Sequence, residues 1–275
     1  MQLLKASAAS AAILFAASLQ AQVIIDHKCV DPEKIPASFV EKAKAKFKVS
    51  YGHTSHGSQV VAGMTAMAAA NPLYKFAKDG KGGSLPFLDN TPQGDLGNPD
   101  RTTWADRTRE FLNGKGKEVN LVMWSWCGQA GTASPRDIES YLDLMSALEK
   151  EFPKTTFVYM TGHLDGSGLN GSLNKRNNQI REFCKKNGKV LFDFADIESY
   201  APGSDVNLME KGAKDSCDYV ANGKKANWAV DWIEEHPDHK YKLPSGAAHS
   251  QPLNGAMKGV AFWWMMARLA GWDGK

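Results

Sequence analysis

Short apolar runs alternate with stretches of helical spacing along most of the chain. The run Phe47 to Gly52 (FKVSYG) predicts a strand, and over Ser58 to Ala70 the apolar residues Val60, Val61, Met64 and Met67 recur at helical spacing. A short helix is expected around Trp104 to Leu112 and a second apolar strand over Val119 to Trp124. Ser134, Pro135 and Asp137 then form a helix start. A serine hydroxyl caps free N–H groups, proline fits the first helical position, and an acid suits the first turn. The apolar face behind that start runs through Ile138, Tyr141, Leu142, Met145 and Leu148. Strands at Thr155 to Met160 and Val190 to Phe194, a helix at Leu173 to Lys186, and a last helix from about Asn254 to Leu269 complete the pattern. The stretch GGSLPFLDNTPQGDLGNPD, rich in Gly, Pro and Asp, reads as a long surface loop.

Strands apolar on both faces, separated by helices, are the signature of βαβ units. The predicted fold class is therefore α/β, a three-layer α/β/α sandwich with a mostly parallel, flavodoxin-like central sheet. Right-handed crossovers bring the C-terminal ends of such strands to one edge, beyond which ligands bind. Polar groups gather at that predicted edge: His53, Thr54, Ser55 and His56 after the first strand, and Ser125, Trp126, Cys127 and Gln129 after the second. Thr161, His163 and Asp165 follow the third strand, Asp196 and Glu198 the fourth, and His249 and Ser250 precede the last helix.

The length of 275 residues, with 43% hydrophobic and 23% charged positions, suits one sizeable domain. Residues 1–21 (MQLLKASAASAAILFAASLQA) combine a basic start, a short apolar stretch and small residues. They read as a secretory signal peptide, leaving a single domain over 22–275 and a periplasmic or extracellular location with no stable membrane anchor. Export favours oxidised thiols, so one or two disulfides are expected among Cys29, Cys127, Cys184 and Cys217. Their wide spacing lacks the pairs that hold structural zinc or covalent haem, and no cofactor is expected. Lys and Arg are scattered and the net charge is only +3, which gives no footprint for nucleic acid.

Ser55 would stand where a strand turns into a helix, so helix N-terminal N–H groups could stabilise an oxyanion formed on an attacked carbonyl. A serine needs a base, and His249, just before the last helix, is the candidate. The plainer roles are a helix cap for Ser55, half of a disulfide for Cys127, and packing for the tryptophans. His53, His56, Trp126, Cys127, His163, Asp165 and Asp196 are the pocket candidates.

These blocks resemble the SGNH/GDSL hydrolase superfamily, in a divergent branch with H-x-S-x-G (His53, Ser55, Gly57) in place of G-D-S. The resemblance runs through GHTSHGS, MWSWCGQ, FVYMTGHLDG, NKRNNQIREFC, LFDFADIES and HSQPLNGAMKG, over about residues 47 to 270. It implies Ser55 as nucleophile, His249 as general base, and an oxyanion hole made by the Ser55 N–H, a glycine (Gly94 or Gly97) and the Gln129 amide. The family's aspartate three residues before the histidine is here Gly246, which leaves a dyad, or Asp196 or Asp165 as substitute. The expected function is an exported serine esterase that removes acyl groups from a carbohydrate or related small-molecule ester, with Trp104, Trp124 and Trp126 near the cleft. Two alternatives stand beside it: a metal site built from His53, His56, His163 and His249, and a non-catalytic glycan-binding protein on the same scaffold.

Overall fold

The computed structural model describes residues 22–275; the expected signal peptide, 1–21, lies outside the described residues. The strands are β1 (Val23–Ile25), β2 (Val49–Gly52), β3 (Phe76–Ala77), β4 (Leu85–Asp89), β5 (Leu121–Trp124), β6 (Thr156–Met160) and β7 (Val190–Phe192). They form one sheet in the order β1-β7-β6-β5-β2-β4-β3, and every neighbouring pair is parallel. Without the edge strands β1 and β3, the five inner strands follow the flavodoxin-like order, and the chain switches direction across the sheet between β2 and β5.

Alternation along the strands divides two apolar layers. On one side, Val49 and Tyr51 of β2, Leu121 and Met123 of β5, Val158 and Met160 of β6 face α1 (Ala37–Lys46), α2 (Ser58–Ala70) and α8 (Pro252–Leu269). On the other, Val122, Trp124, Phe157, Tyr159 and Leu191 face α3 (Thr103–Asn113), α4 (Pro135–Glu151) and α5 (Ser172–Lys186). The α4 start is a full capping box, with Ser134 Oγ accepting from Asp137 N–H and Asp137 accepting from Ser134 N–H. Between β7 and α8 lie α6 (Phe194–Ile197), an antiparallel hairpin of β8 (Asp218–Ala221) and β9 (Lys224–Asn227), and α7 (Trp228–Glu235).

The stretch expected to be a plain loop over 82–100 contains β4, whose Leu85 and Phe87 enter the core between glycine- and proline-rich flanks. The expected disulfides do not form: all four cysteines are unpaired. Among the described residues, no helix is long and apolar enough to cross a membrane.

Helices α2 and α8 meet backbone to backbone. A Cβ on Gly63 would lie 2.0 Å from the Gly255 carbonyl oxygen and 2.8 Å from Gly259 N, so only glycine permits this approach. Replacing Gly63 by alanine is expected to push the helices apart and cost about 1 to 3 kcal/mol, read as a lower midpoint in urea unfolding. An unchanged midpoint would show that the seam yields without penalty.

Candidate functional site

The switch point between β2 and β5 carries the polar cluster. After Gly52 the chain turns at His53–Gly57 into α2, and the turn folds so tightly that a Cβ on Gly57 would lie 2.2 Å from Ser125 Oγ and 2.8 Å from the Tyr51 hydroxyl. Tyr51 closes the turn by donating to Gly57 O at 3.1 Å. Gly57, not Ser55, is the residue before α2, and no side chain caps that helix. The half-buried Ser55 hydroxyl instead meets Cys127 Sγ at 3.5 Å.

Cys127 is the first residue past β5 that is not fully buried. Its thiol lies 3.1 Å from His56 Nδ1, and His56 Nε2 lies 2.9 Å from Asp215 Oδ2. Since a carboxylate only accepts, Asp215 fixes the proton on Nε2 and leaves the Nδ1 lone pair facing the thiol. Asp215 is itself positioned through its N–H, which donates to Leu164 O at 3.1 Å, while Ser216 N–H donates to Asp215 Oδ1 at 2.9 Å. Burial would raise the Asp215 carboxyl, but the hydrogen bond from His56 and the nearby His163 and His56 outweigh it and hold it below the ordinary aspartate value. For His56, burial dominates and lowers the pKa below 6.5, assisted by His163 and His249 and opposed by Asp215.

Three imidazoles stack in a column, His163 on His56 with centroids 3.6 Å apart and planes 1° apart, and His249 on His56 at 4.4 Å and 16°. His163 Nδ1 donates to Leu164 O at 2.9 Å, so its lone pair sits on Nε2, which is buried without a partner. His249 is exposed, has a left-handed backbone (φ 62°), and makes no hydrogen bond to Ser55. The expected Ser55–His249 hydrogen bond is therefore not formed, and the imidazole beside the Cys127 thiol is His56.

A buried network supports both ends of the column. The fully buried Lys258 ammonium donates to Gln59 Oε1 at 2.5 Å and to Glu198 Oε2 at 2.6 Å, and lies 3.6 Å from the Phe194 ring centroid. Gln59 Nε2 in turn donates to Ala248 O at 2.6 Å, next to His249, and Glu198 accepts the Leu164 N–H, next to His163. Burial pulls the Lys258 pKa below the ordinary lysine value, and Glu198 works against that shift.

Other expected members stand elsewhere. His53 turns toward β4, with Nε2 2.7 Å from Asp89 Oδ1 and Nδ1 3.0 Å from Thr54 O. The Gly97 N–H is engaged by Asp95 Oδ1 at 2.8 Å and is not available to an oxyanion. Gln129 lies against Gly97 and accepts the Cys127 N–H at 3.0 Å. Of the expected oxyanion donors, the Gly97 N–H is engaged, whereas the Ser55 N–H, the Gly94 N–H and Gln129 Nε2 have no acceptor among the described residues. The exposed Asp165 caps its own turn through Ser167, and Asp196 pairs with His27 at 2.6 Å near the ends of β1 and β7; neither orients a histidine of the column. Trp126 is buried and donates to Met160 O at 3.1 Å, while Trp104 and Trp124 pack edge to face in the core, so no tryptophan of the three lines a cleft. Asp215 was missed because it lies in an irregular segment 159 residues from His56 and carries no periodic signal.

Ligand atoms of His56, His163 and Asp215 come within 4.8 Å of one another, the spacing of a metal site. A metal sits in the plane of each ligating imidazole, about 2.0 to 2.1 Å from its nitrogen. Parallel rings 3.6 Å apart aim their lone pairs side by side and do not converge on one ion, so this pair does not fit a shared metal as arranged. The four-histidine site does not assemble either, since His53 is directed to Asp89. Compared with known proteins, the chain matches no family model and no curated protein.

Proposed function

We propose that this chain is an acyl-ester hydrolase working by covalent catalysis at the β2 and β5 ends, with His56 as general base and Asp215 as the group that orients it. One observation carries the reading: an unbroken chain of contacts from a nucleophilic atom to an imidazole to a carboxylate, Cys127 Sγ, His56 and Asp215, at 3.1 and 2.9 Å. Ser55 Oγ adjoins this chain at 3.5 Å from the thiol, and its N–H is available to an oxyanion. The site's position at the switch point of a flavodoxin-like sheet and the resemblance of its blocks to SGNH hydrolases support the same class of reaction. A carbohydrate alcohol loses its expected support, because Trp104, Trp124 and Trp126 are core residues; a small acyl ester remains the substrate class.

The test is turnover of p-nitrophenyl acetate by the purified chain, with and without a chelator. Release of nitrophenol that survives the chelator and falls in the Asp215→Asn protein supports the reading. Activity abolished by the chelator would overturn it in favour of metal chemistry. The pH profile provides a second check. The base works only when neutral, and its pKa is lowered by burial, so kcat/KM is expected to hold as pH falls through 6.5 and to decline only below that value. A decline centred above 6.5 would assign the limb to a different group.

A further inference from the structure

We infer that Cys127 is the nucleophile of this cluster, a thiol activated by His56 and Asp215 and aimed at the carbonyl of an acyl ester, with the Ser55 hydroxyl as hydrogen-bond donor to the thiolate. The acyl step rests on the hydrolase reading above; the thiol assignment rests on geometry.

The local fold prepares this one sulfur. Ser125 and Trp126 are buried, and Trp126 is tied to Met160 O, so the chain surfaces at Cys127 with its N–H held by Gln129 Oε1. The thiol then faces two polar atoms, His56 Nδ1 at 3.1 Å and Ser55 Oγ at 3.5 Å. Because Asp215 keeps the imidazole proton on Nε2, Nδ1 can only accept, and the sulfur is the donor beside it. Ser55 has no such imidazole: its hydroxyl reaches Cys127, not His56 or His249. Once the thiol has given up its proton, the serine hydroxyl and the His56 imidazolium both face the sulfur and stabilise the thiolate.

The other three cysteines form a built-in contrast. Cys29 and Cys217 are buried, and burial pushes their thiols up to about 12; Cys184, also buried, is raised further. A thiol kept protonated in the core does not attack.

In the reaction, His56 Nδ1 takes the Cys127 proton as Sγ attacks the ester carbonyl carbon. The C–O bond to the alcohol breaks, and the departing oxygen takes the proton back from Nδ1, leaving the acyl group on Cys127 as a thioester. Water then gives a proton to Nδ1 and attacks the thioester carbon; the C–S bond breaks, the acid leaves and the thiol is restored.

Two measurements on the folded, full chain test this. With iodoacetamide at neutral pH and peptide mapping, Cys127 is expected to be alkylated roughly tenfold faster than glutathione, with Cys29, Cys184 and Cys217 unmodified until denaturant is added. In the His56→Gln protein the Cys127 rate should drop roughly tenfold, to that of an ordinary thiol. Acid quenching during p-nitrophenyl acetate turnover should leave the acetyl group on the Cys127 peptide, removable by neutral hydroxylamine. Alkylation no faster than that of glutathione, or the acetyl group on Ser55 with turnover surviving in Cys127→Ala, overturns the assignment, and the second result does so while keeping the hydrolase reading. Fast, His56-dependent alkylation without ester turnover keeps the thiol assignment and sinks the hydrolase reading. The alkylation arm uses the wild-type chain, so a Cys127→Ala protein that fails to fold does not remove the test.

Discussion

Replacing His56 by glutamine is expected to lower kcat/KM for p-nitrophenyl acetate by about 10²- to 10⁴-fold, or roughly 3 to 5 kcal/mol of transition-state stabilisation. The size follows from the position of the ring. Among the described residues, it is the only side chain hydrogen-bonded to both the Cys127 thiol and the Asp215 carboxylate. Glutamine keeps a polar side chain in that space but has no pKa near neutrality, so proton transfer is lost while packing is largely kept. Asp215→Asn probes the same link from the other side. An amide can donate toward Nε2, which favours the tautomer with its proton on Nδ1 and removes the lone pair from the thiol. A His56→Gln protein with activity within threefold of wild type would show that this imidazole performs no catalysis. The companion variant His249→Gln should fall far less, since His249 stacks on His56 without a hydrogen bond to Cys127 or Ser55.

Replacing Lys258 by methionine is expected to destabilise the fold by about 3 to 5 kcal/mol, because it leaves the Glu198 carboxylate buried without its cation. For a chain of this size the melting temperature should drop by about 10 °C. The double variant Lys258→Met with Glu198→Gln should recover much of that loss, since neither half of the pair then remains as an isolated charge. Equal losses in the single and double variants would mean that packing of the lysine stem, not the charge pair, is what matters. The same variant reports on the site, because Lys258 joins Gln59 at Ala248 to Glu198 at Leu164, the neighbours of His249 and His163.

The fold was largely legible because its strands are short and apolar on both faces and its helices carry strong periodicity; α2 and the capped start of α4 fall where the pattern put them. β4 was hidden because Pro86 and the surrounding glycines read as loop, although a parallel partner on each side satisfies its backbone. The edge of the sheet was legible for the same reason as the strands, and it correctly gathered Ser55, His56, Cys127, His163 and His249. Which of them touch was not. Ser55 and His56 are one residue apart, yet the turn directs both to Cys127, and the orienting carboxylate comes from an irregular stretch near the β8–β9 hairpin. The tryptophans misled for a physical reason: Trp124 follows the two-residue alternation of β5 into the core, and Trp126 is drawn inward by its bond to Met160.

The glycine seam between α2 and α8 also fixes how the two histidine-bearing segments at the sheet edge stand relative to each other. Both helices begin at the sheet edge, one just after the turn that holds Ser55 and His56 and the other just after His249. With Gly63 in contact with Gly255 and Gly259, the two cannot slide past each other without a backbone collision. The turn that holds Ser55 and His56 and the segment that ends in His249 are therefore both anchored to one rigid pair of helices.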